Sequence, residues 1–201
     1  MTPARVVLAA ATSTASIPCV DAASLRQLLE RIDAGLTSPT ELMIRGGAAM
    51  LALGLQGRTT VDIDVLPSSR FVEAELRQAC AAAGLAFNPP DKDFPPGDYV
   101  EIVPEQTLVL PTPTADAPYN TVFRGQRLTV KTPPAADLLI GKLKRLDPED
   151  LADIQFLITR FALDEPALRE AFSRLPARNQ RDAVLEDNLR YVVHDFLDQR
   201  R

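Results

Sequence analysis

Apolar residues recur at helical spacing in some stretches of the chain and at alternate positions in others. Leu25, Leu28, Leu29 and Ile32 share one helical face and predict a helix over 22–36, with Asp21 placed to cap it. Leu42-Met43-Ile44 marks a strand over 41–45, and the helix formers of AAMLALGL give a short helix over 47–55. Val61, Ile63 and Val65 alternate with Asp62 and Asp64, so residues 61–66 read as a strand with its apolar side inward and two aspartates on a solvent-facing rim. Phe71, Leu76, Ala79, Cys80 and Ala83 predict a core-packed helix over 71–83, opened by Ser68 or Ser69 and ended by Gly84. Strand, helix, strand, helix is an α/β opening.

Further on, 99–103 and 107–110 read as short strands, and 120–123 with 127–130 as a hairpin about Arg124-Gly125-Gln126. Pro133-Pro134 opens a helix over 135–146 with Leu138, Leu139, Leu143 and Leu146 on its apolar face. Asp147-Pro148-Glu149-Asp150 caps the next helix, whose core positions are Leu151, Ile154, Phe156, Leu157, Ile158 and Phe161. A short helix over 164–175 and a long amphipathic one over 177–201, with stripe Val184, Leu185, Leu189, Val192, Val193, Phe196 and Leu197, complete the chain. The expected class is α/β (α+β): a small mixed sheet flanked by helices. Residues 1–132 form an α/β core, and the helical part 133–201 packs on it as one compact unit.

Composition narrows this picture only a little. A chain of 201 residues can bury one core. Its net charge of −5 argues against a broad electrostatic nucleic-acid surface, though not against a local basic groove. The 17 prolines cluster in the middle third and place irregular connections there. Cys19, Cys80 and the single histidine, His194, cannot close a zinc site. Cys80 reads as a small buried hydrophobe, with a disulfide left open. Residues 1–20 read as an irregular or strand-like lead. The run Val6–Ala11 is short for a signal peptide, and no stretch approaches the roughly 18 apolar residues of a transmembrane helix. A cytoplasmic protein without a membrane partner is expected.

The chemistry concentrates in RGGAAMLALGLQGRTTVDIDVL, residues 45–66. Two carboxylates on one strand face repel each other unless a cation lies between them, and a hard ion such as Mg2+ suits their oxygens. Gly46-Gly47, between a strand and a helix, lets an anion approach backbone N–H groups at a helix start. Together these suit a metal-bound nucleoside triphosphate (NTP). Taken singly, a glycine pair is usually only a turn, and paired strand aspartates are usually only solvated.

In the order Gly46-Gly47, helix, Arg58-Thr59-Thr60, Asp62-Ile63-Asp64-Val65, the segment resembles the nucleotidyltransferase superfamily of the DNA polymerase beta type. More narrowly it resembles AbiEii-like and related minimal nucleotidyltransferases of toxin–antitoxin and phage-defence systems. The second similar block is PPAADLLIGKLKRLDPEDLADIQFL, residues 133–157. The resemblance implies the nucleotidyltransferase topology. It also implies Asp62 and Asp64 as ligands of Mg2+ or Mn2+, and Gly46, Gly47, Arg58, Thr60 and Lys142 as nucleotide-binding groups. Lys142, Asp150 and Asp153 would join Asp62 and Asp64 in catalysis. Residue by residue, plainer readings stand beside these: Lys142 as a snorkelling lysine, and Asp150 as a first-turn helix acid. A third carboxylate often comes from a later strand in such enzymes. Glu101 is the nearest candidate metal ligand, with Asp98 behind it and an exposed strand residue as the alternative.

The implied activity is metal-dependent transfer of an NMP from an NTP to a hydroxyl of RNA, tRNA above all, or of a protein, with a cognate toxin or antitoxin as a possible partner. The alternative is a catalytically silent binding or regulatory subunit, antitoxin-like in role. Ala48 points that way, since it stands where many relatives carry Ser or Thr.

Overall fold

The computed structural model describes residues 20–90, 97–115 and 118–198. The lead expected over 1–20 therefore lies outside the described residues except for Val20, and so does Cys19. The elements run α1 (Ala22–Gly35), β1 (Thr40–Met43), α2 (Gly46–Ala52), β2 (Asp62–Val65), α3 (Glu73–Ala82), β3 (Ala86–Phe87), β4 (Tyr99–Ile102), β5 (Asn120–Arg124) and β6 (Leu128–Thr132). Then come α4 (Ala135–Lys142), α5 (Pro148–Phe161), α6 (Glu165–Ser173), α7 (Ala177–Gln180) and α8 (Ala183–Val192), the last passing into a π turn over Val193–Leu197. This is the expected mixed α/β architecture.

Two three-stranded ladders carry the site. One has the order β1-β6-β5, with β1 and β6 parallel and β5 and β6 antiparallel; the other has the order β2-β4-β3, all parallel. An antiparallel bridge between Ile44 and Val65 joins them. It is flanked by hydrogen bonds from Leu66 N to Met43 O (2.7 Å) and from Arg45 N to Asp64 O (3.0 Å). The weld between the ladders therefore lies beside the glycine pair and the aspartate strand.

Aspartate caps open half of the described helices. Asp21, Asp147 and Asp164 each accept a first-turn backbone N–H of α1, α5 and α6. The apolar face of α1 is buried as its spacing predicts, as are Leu138, Leu139 and Leu143 of the α4 segment and Ile154, Leu157 and Ile158 of α5, while Leu146, Leu151, Phe156 and Phe161 are only partly buried. Asp33 at the end of α1 accepts the backbone N–H groups of Gln126, Arg127 and Leu128, which pins the β5–β6 turn to the helix. These bonds outweigh desolvation and hold its carboxyl below the ordinary value. Cys80 is a buried free thiol, and burial pushes its pKa up to about 12.

Several expectations need correction. Helix α3 starts at Glu73 with Val72 as an N-cap that makes no side-chain bond. Ser69 instead accepts the Met43 N–H, so neither serine caps it. β3 has only two residues, too short for a periodic signal. Residues 107–110 form no strand: a 3-10 turn covers Glu105–Thr107. The chain beyond is held by Asn179, which donates to Leu108 O (3.2 Å), and by Arg174, which donates to Thr112 O (2.8 Å). The long C-terminal helix is broken, because Asp182 turns its side chain back to cap α8. Val184, expected in its apolar stripe, is 51% exposed.

Candidate functional site

β2 places Asp62 and Asp64 on one face, half-exposed, while Ile63 and Val65 are buried on the other. β4 lies parallel beside it, with Tyr99 opposite Asp62 and Glu101 opposite Asp64. Thr60 donates its hydroxyl to Asp62 Oδ1 at 2.7 Å, and the register sets Tyr99 on the same face beside Asp62. Burial first, then the charges of Asp62, Glu101 and Asp64, push the Tyr99 phenol up to about 12. It therefore stays a neutral O–H donor.

The glycine pair is fixed by close approach. Gly46 has φ +65°, and a Cβ placed there would lie 2.6 Å from Asp64 Oδ2. At Gly47 a Cβ would lie 2.8 Å from Thr60 Oγ1 and 3.0 Å from Arg58 Nη2. No side chain larger than hydrogen fits between the start of α2 and the aspartate strand. The N-cap, Arg45, makes no side-chain hydrogen bond to the first turn, so the side chains leave that turn's amides uncapped.

Opposite stands a charged network on α4 and α5. Lys142, 8% exposed, lies 2.5 Å from Asp153 Oδ2 and donates to Asp150 Oδ1 at 3.1 Å. Arg145 donates to both oxygens of Asp150, at 2.9 and 3.1 Å, and pairs with Asp147. Burial alone would raise the Asp150 carboxyl, but Arg145 and Lys142 overcome it and hold the group below its ordinary value. Arg58 crosses from the α2–β2 connection to pair with Glu149 and with the fully buried Asp153 (3.3 Å). Both Asp153 oxygens are in ion-pair range but lack a hydrogen bond of good geometry, as does Arg58 Nε.

Between these two walls is a cavity of about 530 Å³. It falls within the roughly 300–1,000 Å³ typical of small-molecule sites. Gly46, Gly47, Arg58, Thr60, Asp62, Asp64, Lys142 and Asp150 line it, together with Arg45, Lys144, Arg145 and Glu149. Thr107, Val109 and Gly141 form a further edge. Of the residues singled out in sequence, Asp153 lies beneath the lining as the counter-ion of Lys142 and Arg58. Glu101 is buried beside Asp64 on β4 but is not among the lining residues. Among the described residues no group of three or more His, Cys, Asp or Glu side chains is arranged to hold a metal ion.

Among the residues that sequence reasoning did not place here, Arg45 and Tyr99 stand out. Arg45 is the one lining cation whose side chain makes no hydrogen bond or ion pair among the described residues; Arg58, Lys142, Lys144 and Arg145 all meet carboxylates. Its signal was its place directly before the glycine pair. Tyr99 gave no signal, because only the β2–β4 register brings it to Asp62.

Two aspartate carboxylates are a hard-oxygen donor pair. They suit Mg2+, which is bound through one or two carboxylates with the remaining positions left to water and phosphate oxygens. The absence of a three-ligand cage is compatible with that mode.

A family model described as a nucleotidyltransferase of unknown function (DUF6036) matches residues 23–190. No curated protein and no solved structure gives a significant match. Among the described residues no helix is long and apolar enough to cross a membrane.

Proposed function

This chain belongs to that nucleotidyltransferase family, and from this premise we propose that the cavity binds an NTP with a divalent cation and transfers its NMP to an acceptor hydroxyl, which displaces pyrophosphate from the α-phosphorus. The observation that carries the reading is the joining of the Gly46-Gly47 turn and the Asp62/Asp64 pair in one cavity, with both glycines fixed by contact with the aspartate strand.

Asp62 and Asp64 would hold Mg2+ or Mn2+, which when bound supplies charge neutralisation at the phosphates and helps an incoming hydroxyl lose its proton. Thr60 fixes one oxygen of Asp62. Arg45 and the amides of the glycine turn offer positive charge to the phosphate chain. Lys142 and Arg58 keep their carboxylate partners, so they set the shape and potential of the wall rather than present unpaired charge.

On the resemblance to AbiEii-like proteins, the acceptor we assign is a hydroxyl of RNA, tRNA in particular, or of a protein, within a toxin–antitoxin pair. The fully partnered Lys142 and Arg58 favour the second reading, a silent binding subunit.

Melting curves with each of the four NTPs, with and without Mg2+, test the proposal, since a ligand that binds only the folded state raises the melting temperature. We expect a Mg2+-dependent rise with at least one nucleotide, lost in Asp62→Ala and Asp64→Ala. Absence of a shift with any nucleotide would reject the transferase reading in favour of the silent subunit.

A further inference from the structure

The two aspartates are not equivalent. Asp64 lies against the glycine turn, its Oδ2 2.6 Å from where a Gly46 Cβ would stand. Asp62 is bounded by hydroxyls. Thr60, two residues earlier on its own chain, reaches Oδ1 at 2.7 Å, and Tyr99 faces it from the next strand. The register sets Tyr99 directly across from Asp62, and the backbone holds that register, with Tyr99 N donating to Val61 O at 3.0 Å. Tyr99 is only 5% exposed.

A phenol buried beside three carboxylates is costly unless its proton is donated to one of them. Tyr99 is buried but lies outside the contiguous hydrophobic cluster to which the adjacent Val100 belongs.

We propose that Tyr99 is a positioning residue: with Thr60 it clamps the Asp62 carboxylate in the orientation that receives the divalent cation. The proposal rests on the metal-dependent reading above. Groups that orient a ligating carboxylate are typically worth about 10–100-fold in metal affinity.

The test is Mn2+ alone, without nucleotide, titrated into the wild-type chain and followed by electron paramagnetic resonance of the free ion. Tyr99→Phe keeps the ring and removes the hydroxyl. We expect it to weaken Mn2+ binding by about tenfold or more while the melting temperature of the metal-free protein stays close to wild type. Thr60→Val should weaken binding in the same direction. Equal or tighter binding by Tyr99→Phe overturns the proposal and leaves the metal-dependent reading intact. Failure of the wild type itself to bind Mn2+ overturns both.

A second measurement needs no change at position 99. The chain has no tryptophan and three tyrosines. A Tyr119→Phe, Tyr191→Phe variant therefore reports Tyr99 alone in the near-ultraviolet. Saturating Mg2+ should perturb that tyrosine spectrum, because the charge on the carboxylate facing the phenol changes. An unperturbed spectrum at full metal occupancy overturns the proposal.

Discussion

The two walls of the cavity use charge in opposite ways. On the strand wall, Asp62 and Asp64 stand half-exposed on one face of β2, and Arg45 beside them has no partner among the described residues. On the helix wall, Lys142, Arg145, Asp150 and Asp153 are matched cation to carboxylate, with Arg58 reaching over to join them. Charge that is matched inside the protein serves architecture, while charge left open can serve a ligand. The wall that carries the motif's lysine is thus the more self-sufficient one.

Deleting the centre of the matched wall should have the largest effect on stability. Asp153→Ala leaves Lys142 and Arg58 poorly compensated in a buried place. Removing one partner of a buried pair costs about 3–5 kcal/mol, so denaturant unfolding should show a loss of that order. A loss below about 1 kcal/mol would mean that water, not Asp153, solvates those cations.

Gly46→Ala addresses the open wall. The left-handed backbone costs about 1–2 kcal/mol for a residue with a Cβ, and that Cβ must displace Asp64. We expect a folded protein, modestly destabilised, whose Mg2+–nucleotide melting shift has disappeared. A retained shift would separate the glycine turn from the site.

Arg45→Gln sharpens the contrast from the other side. Stability should stay within about 0.5 kcal/mol, as for a surface change. Nucleotide affinity should fall about tenfold or more, the worth of a hydrogen bond to a charged group. Calorimetric titration reads the second quantity and melting the first.

The smallest effect is in acid. The Asp150 carboxyl is held below its ordinary value of 3.8 in the folded state. Its stabilising contribution is therefore complete above that value and is lost as pH falls through the lower folded one. Asp150→Asn should flatten this acid limb of the stability curve and leave its neutral-to-alkaline part parallel to wild type.

Much of the strand wall was legible in the sequence because its signals are local. Alternation set the faces of β2, and the aspartate caps opened α1 and α5 where expected. What escaped depends on contacts distant in sequence. The segment after Thr107 alternates enough to suggest a strand, yet its carbonyls are taken by Asn179 and Arg174 from the C-terminal helices. The stripe after Ala177 reads as one helix until Asp182 competes for the backbone at α8. Lys142, whose plainer reading was a snorkelling lysine, is instead buried, because closing the α4–α5 turn brings Asp150 and Asp153 to it. Tyr99 could be matched to Asp62 only once the parallel register was known.

Binding loops usually hang from a scaffold, so lineages can lengthen or exchange them without harm to the frame. The Ile44–Val65 junction denies this chain that freedom. The peptide groups of Arg45 and Asp64, which flank the candidate site, are also the stitching between the two ladders. An insertion between Ile44 and Gly46 would pull the sheet apart rather than reshape a rim. Variation in substrate preference among descendants of this chain is therefore channelled toward the far edge of the cavity, around Thr107 and Val109, where the backbone is tied to Asn179 of the C-terminal part but does not stitch the two ladders together.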